Sequence, residues 1–231
     1  MQAAYGVPIL NDILNGITAS EFDGFRSDLR RVPLRQKQVL HEPGTPFRYV
    51  HFVESGLASV VAVMKDGRMV EVRMVGREGL TGISHLLGAE LSTLEVLVQV
   101  PGSALRIDAA LFRAVFDRRE SVRRLVLRFI NDALVTAAQS AACNRLHSME
   151  QRCARWLLMA SDKVGSDTLP ITHDLLSKML GVRRAGVTAT ALKLQRSGLL
   201  DYRRGHLKIA NRPALEECAC ECYQLDHARM Y

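Results

Sequence analysis

The sequence predicts an α+β chain in three parts: an antiparallel double sheet or barrel, a long helix, and a helix-turn-helix finished by a hairpin wing. Three observations carry this. Between Val32 and Ile107 apolar residues alternate with period two, broken by Gly-bearing turns at intervals of about 8–12 residues. From Ala109 to Arg145 the period becomes three to four. From Ile171 to Arg212 two short helical patterns meet at a glycine, and nine Lys/Arg against two Asp/Glu there give a net charge of +7, equal to that of the whole 231-residue chain.

Taken in order, Ile9, Ile13, Leu14, Ile17, Phe22 and Phe25 are spaced for a pair of short amphipathic helices, with Thr18 and Ser20 as caps. The strand region follows, with Asp66-Gly67 as a hairpin turn. Asp108 caps a short helix anchored by Leu111, Phe112, Val115 and Phe116, and a long helix runs on from about Arg118. That helix carries two apolar stripes. One of them, Val126, Phe129, Ala133, Thr136, Ser140 and Cys143, is expected to meet the same helix of a second subunit; the other, Leu127, Ile130, Leu134, Ala137 and Ala141, is expected to cover the sheet domain. Gln151 to Ala160 reads as an amphipathic helix opening the last domain, and Pro213 to Tyr231 as a helical tail.

In the basic stretch Thr172 is a good N-cap for a helix whose Leu175, Leu176, Met179 and Leu180 recur at helical spacing until Gly181. Val187, Ala191 and Leu194 define a second helix closed by Ser197-Gly198, and Leu199–Tyr202 with Leu207–Ile209 make the wing. Duplex phosphates attract Lys/Arg and release counterions on binding, so a charge excess confined to this motif points to double-stranded DNA.

The composition bounds the rest. At 48% hydrophobic the chain can bury one sizeable core or two modest ones, and the segregated charge favours two. No run of about 18 apolar residues and no basic-then-apolar start is present, so a cytoplasmic protein without a membrane partner is expected. The five cysteines read as reduced thiols. Neighbours at i and i+2 on a helix diverge, so Cys218, Cys220 and Cys222 cannot converge on one ion without unwinding. Hence no metal, no cofactor and no catalytic residues are expected. Of the imidazoles a haem would need, His41, His51 and His85 each read as surface or satisfied core residues.

A double sheet, a long helix and a winged helix-turn-helix in that order resemble the Crp/Fnr family of bacterial transcription regulators. The resemblance is carried by Glu42-Pro-Gly44, Val50 to Gly56, Asp66-Gly67, Gly76-Arg-Glu-Gly79, Arg152 to Leu158, and Ile171 to Leu200. It implies a double-stranded β-helix (jelly-roll or β-roll) sensor domain at residues 1–117, a dimerisation helix at 118–146 and a winged helix-turn-helix at 147–231. It implies a homodimer on a partly palindromic operator, and it admits RNA polymerase as a further partner. Arg184 stands where the family reads guanine. Thr172, Arg183, Thr188 and Lys193 are candidates for bases or phosphates, and Arg203, Arg204 and His206 for phosphates. Lys178 and Arg196 read as solvated charges. Ala185 and Ala189 replace a Glu and an Arg common in the family, and Arg183 replaces a Ser cap, so the operator should differ.

Cyclic-nucleotide binders of the family use a Gly-Glu turn and, some ten residues on, an Arg-Ser/Thr phosphate clamp. Gly76, Glu78 and Gly79 resemble the turn. The clamp falls on Gly88 to Glu95, where Ser92 and Thr93 stand but no Lys or Arg occurs between Arg77 and Arg106. A phosphate without a guanidinium is unfavourable, so control by cyclic AMP is not expected unless Arg73 or Arg77 substitutes. Other readings stay open: a regulator answering another small ligand through a non-standard pocket, and a signalling adaptor that binds no DNA. A metal-dependent barrel enzyme needs a second His that Gly44 to Glu54 lacks.

Overall fold

The computed structural model describes residues 8–203 and 205–230, the last four by their backbone alone. They pack as two compact units, one of residues 8–60 and 75–134, the other of residues 61–74 and 135–230. The long helix is thus divided between the units, and the hairpin tip from Val61 to Met74 groups with the C-terminal residues.

The first unit begins with α1 (Asp12–Asn15) and α2 (Ala19–Asp23). Strands β1 (Arg30–Leu34), β2 (Val39–His41), β3 (Tyr49–Val63) and β4 (Met69–Val75) follow, then α3 (Ile83–Leu86), β5 (Glu95–Asp108), α4 (Ala109–Arg118) and α5 (Glu120–Leu146). The sheet order is β1-β5-β3-β4, with β2 also paired to β5. Register between β1 and β5 runs antiparallel from Arg30↔Arg106 to Leu34↔Gly102. Bridges Pro46↔Leu91 and Phe52↔Leu80 fold the sheet over itself.

Its core joins the N-terminal helices to the roll. Phe52 and Phe112 meet edge to face at 5.0 Å, and Phe25 lies 6.2 Å from Phe112, the aromatic geometry that ring quadrupoles favour. Asn11 is fully buried. Its amide donates to the carbonyls of Val53, Arg77 and Gly79 at 2.8–3.0 Å, while its Oδ1 caps α1 by accepting from Leu14 N. Glu54, also buried, accepts from Arg31 at 2.6 and 2.8 Å.

The stripe expected to form the dimer contact turns inward instead. Val126 is 0% exposed and sits with Val122 and Ile130 in the first unit's own core, and Phe129 packs so tightly on Gly79 that a Cβ there would stand 2.3 Å from the ring. Ala133 and Cys143 are buried, and Thr136 and Ser140 are half-buried. Val126, Ala133 and Cys143 thus have almost no surface to give a second subunit, while Phe129, Thr136 and Ser140 keep part of theirs. The outward face carries Leu127 (43% exposed) and Leu134 (64%) from the other stripe, whereas Ile130 of that stripe is buried.

The second unit continues with α6 (Met149–Val164), β6 (Thr168–Leu169), α7 (His173–Leu180), α8 (Arg184–Arg196), β7 (Leu200–Arg203), β8 (His206–Ile209), α9 (Arg212–Cys218) and α10 (Cys222–Met230). A capping box between Ser148 and Gln151 starts α6. The small sheet is β6-β8-β7. Buried Arg155 pairs with buried Asp226 at 2.5 Å, and Trp156 Nε1 donates to Glu71 at 2.7 Å. Arg212 holds Asp162, Asp167, Glu216 and Tyr223 around its guanidinium.

Inside the roll, His41 and His51 share the hydroxyl of Thr81, His41 Nε2 at 2.9 Å and His51 Nδ1 at 3.3 Å. Burial holds His41 down to about 4 and His51 to about 3, with the charges of His41 and Arg106 adding to the latter. Both are therefore neutral in the fold, whereas in the unfolded chain they take up protons near 6.5. The unfolded state binds more protons below that value, so stability is intact above about pH 6.5 and falls as the pH drops toward 4, by up to about 1.4 kcal/mol per pH unit for each ring. Urea midpoints across this window should show the fall, and His41→Gln should make it shallower.

Candidate nucleic-acid interface

Local sequence sets the helix-turn-helix. Thr172 Oγ1 accepts from Leu175 N at 3.1 Å and starts α7, and Leu176, Met179 and Leu180 bury its inner face. Gly181 ends it in the left-handed region (φ +64°), with its N–H and that of Val182 closing on the carbonyls of Lys178 and Ser177. Arg152 of α6 donates to the Leu180 carbonyl at 2.6 Å, a second hold on the same helix end.

α8 is anchored by Val187, Ala191 and Leu194 alone of its side chains that are fully buried. Its first residue, Arg184, and its cap, Arg183, are exposed, and the cap makes no side-chain bond to the helix. Ala185, Gly186, Ala189, Leu192 and Lys193 are exposed as well. The bare face is thus built of small side chains between two cationic ends. Gly186 has nothing within 4 Å of where a Cβ would stand and its backbone is helical, so folding places no demand for glycine there. A glycine without an internal reason fits close approach of the backbone to a partner.

The wing is tied to both helices through His173. Its ring stacks on Tyr202 of β7 at 4.4 Å, and its Nδ1 lies 3.2 Å from Thr188 Oγ1 of α8. Burial, and then the charge of Arg184, keep this imidazole below its ordinary range. In the wing Arg203 faces His206 across the hairpin, and Arg204 lies outside the described residues.

The structure places the predicted residues unequally. Thr172, Arg183, Arg184, Lys193, Arg203 and His206 are exposed and Thr188 is half-buried against His173. Lys193 is paired with Glu150 at 2.5 Å and Arg203 with Asp201 at 3.2 Å, while Lys178 pairs with Asp174 at 3.0 Å. Among the described residues no carboxylate pairs with Arg183 or Arg184. His173 and Gly186 escaped the sequence reading, because one acts through a ring pair 29 residues apart in the chain and the other through a missing side chain.

Of the six residues expected to form an effector pocket, Gly76, Glu78 and Gly79 share one turn of the first unit, Ser92 and Thr93 stand in another of its segments, and Arg73 belongs to the second unit. Arg73 is buried in the second unit, beside a cleft lined also by Glu71, Arg155 and Trp156. In the first unit Glu78 accepts from the N–H of Gly76 at 3.1 Å, Gly79 lies under Phe129, Ser92 Oγ donates to the Leu94 carbonyl at 2.7 Å, and Thr93 is exposed.

Residues 31–119 match the model of the cyclic nucleotide-binding domain, and residues 151–218 that of the Crp-like helix-turn-helix domain. A roll of this type joined to a winged helix-turn-helix defines a transcription regulator. The chain belongs to the Crp/Fnr family. It is 26% identical to the transcriptional regulator LdrP of Thermus thermophilus, over 74% of this chain and 89% of that one. Solved structures share the fold: a Crp/Fnr-family regulator of Eubacterium rectale (TM-score 0.72, 16% identity, 90% of this chain and 97% of that one). The c-di-GMP-responsive global regulator CLP of Xanthomonas campestris is similar at TM-score 0.70 and 17% identity, over 84% of this chain and 100% of that one. No helix among the described residues is long and apolar enough to cross a membrane.

Two glycines five residues apart should respond oppositely to alanine. Gly181→Ala forces a side chain into the left-handed region and should cost about 1–2 kcal/mol. Gly186→Ala should stabilise the fold by about 0.5–1 kcal/mol and yet weaken DNA binding. Thermal melts and duplex titrations of the two variants check both signs.

Proposed function

We propose that the protein acts in the cytoplasm as a homodimer that sets α8 of each subunit into successive major grooves of a partly palindromic operator, without control by cyclic AMP. The observation that carries this is the exposed Arg184, which no carboxylate pairs among the described residues, at the start of a helix whose first outer turns carry only Ala185, Gly186 and Ala189 beside it. A guanidinium in that place can make a bidentate contact to guanine, and Ala185, Gly186 and Ala189 leave room for the groove floor and thymine methyls. Arg183, Lys193, Arg203, Arg204 and His206 are assigned to phosphates, with Thr172 and Thr188 at the edge of the contact. Lys193 and Arg203 would exchange an exposed carboxylate for a phosphate, a small loss since surface ion pairs contribute about 0–1 kcal/mol.

For the dimer, the outward face of α5 supplies Leu127, Asn131, Leu134, Ala138 and Ala141, exposed and alternating at four and three residues. That is a heptad seam, with Asn131 as the polar position that fixes register. Against cyclic AMP stand the absent guanidinium in residues 88–95 and the placements of Glu78 and Ser92 described above.

Titration of random-sequence duplex at falling ionic strength should show steeply salt-dependent binding, and its absence at low salt would overturn the reading. On a selected operator Arg184→Ala should lose about 5- to 150-fold in affinity, concentrated at one base pair of each half-site. Leu134→Glu should give monomers by light scattering with the melting temperature of the fold retained; a wild-type monomer would remove the dimer. Cyclic AMP should leave the melting temperature unchanged, and an upward shift would restore nucleotide control.

A further inference from the structure

Cys143 and His147 lie one turn apart near the C-terminal end of α5, and His147 immediately precedes the Ser148 cap of α6. Residues at i and i+4 share a helix face. The chain returns to them at the junction of α9 and α10. An unbroken helix would splay Cys218, Cys220 and Cys222, but α9 stops at Cys218, Ala219 is extended (φ −71°, ψ 160°), and α10 begins only at Cys222. That break turns Cys220 and Cys222 the same way, toward α5, and leaves Cys218 out of the group.

The result is a compact set of four donors. Cys143 Sγ is 3.6 Å from Cys220 Sγ, Cys222 Sγ is 3.7 Å from His147 Nδ1, and all four donor atoms lie within 4.8 Å of one another. The three thiols are buried and the imidazole half-buried. A tetrahedral ion with bonds of about 2.3 Å to sulfur and about 2.0–2.1 Å to nitrogen holds neighbouring donors about 3.5–3.8 Å apart. The Cys143–Cys220 and Cys222–His147 edges have that length.

The surroundings fit an ion too. His147 Nε2 lies 3.2 Å from the Glu221 carboxylate, which fixes the proton on Nε2 and turns the Nδ1 lone pair to the thiols, the carboxylate–imidazole arrangement common behind metal-bound histidines. Gln139 Nε2 donates to Cys222 Sγ at 3.0 Å, a contact that holds this sulfur in place beside the others. We propose that Cys143, His147, Cys220 and Cys222 bind one thiophilic divalent ion, zinc in the cell, in a tetrahedral site that fastens the start of α10 to the elbow between α5 and α6.

Two other uses of these groups fit less well. An iron–sulfur cluster places irons and sulfides between its cysteines and needs a wider cage than a 4.8 Å span. A Cys143–Cys220 disulfide would leave Cys222, Gln139 and the His147–Glu221 pair without a common purpose. Zinc binding needs no oxidant: three thiols lose their protons to solvent as three sulfur–metal bonds and one nitrogen–metal bond form.

The test uses full-length protein purified under reducing conditions. About one equivalent of zinc per chain is expected, and replacement by Co²⁺ should give the visible bands of tetrahedral cobalt–thiolate. Cys220→Ser and Cys222→Ser should lose both, whereas Cys218→Ser should keep both. Glu221→Gln should retain the cobalt spectrum but lower zinc affinity about 10- to 100-fold. Should the cysteine variants not fold, alkylation of chelator-stripped wild type decides: adding zinc should protect three thiols. Cobalt bound without thiolate bands, Cys218→Ser as damaging as Cys220→Ser, no zinc-dependent thiol protection, or a Cys143–Cys220 disulfide in the purified protein would each overturn the site.

Discussion

A helix that turns most of its side chains outward has to be held in place by the few it keeps back. α8 is held by Val187, Ala191 and Leu194, a stripe one residue wide, and the rest of the C-terminal unit is arranged around that shortage. The Gly181 turn fixes where α8 begins, Arg152 fixes where α7 ends, and the His173–Tyr202 stack brings the wing up beside both. None of these contacts uses a residue on the bare face of α8. Folding thus draws on one side of these thirteen residues and leaves the other bare.

The cations divide along similar lines. Arg155 and Arg212 have carboxylates close by and serve the interior of the unit, where a lone charge would be costly. Lys178, Lys193 and Arg203 have carboxylates on the surface, where water weakens the attraction. Arg183 and Arg184 extend from the turn, adjacent in sequence and of like charge, which raises the energy of the free protein slightly and favours any anion that comes between them.

What could be read from the sequence was what short-range chemistry decides. Caps at Thr172 and Asp108, the glycine stop at 181 and the strands of the roll all rest on contacts within a turn or a strand pair, and the structure has them where the sequence placed them, although β3 and β4 are buried in runs and not in strict alternation. The two faces of α5 were another matter. Both mix large apolar side chains with small ones, and the side that turns inward was settled by Phe129 meeting the bare Gly79 and by Val126 joining a core assembled from residues 9–130. Periodicity finds a stripe without saying what faces it. The Cys220–Cys222 convergence was hidden for a different reason: it hangs on one extended residue, Ala219, that no propensity marks.

Asn11 offers a last point. Its amide gives hydrogen bonds to three main-chain carbonyls, two of them in the turn at residues 76–79 that resembles the ligand-holding loop of nucleotide sensors. Here the segment around α1 serves as a peg in that turn. Asn11→Ala would withdraw one donor group from three oxygens at once, leaving Gly79 the bond from Val53 N and Arg77 the bond from Asp12 N.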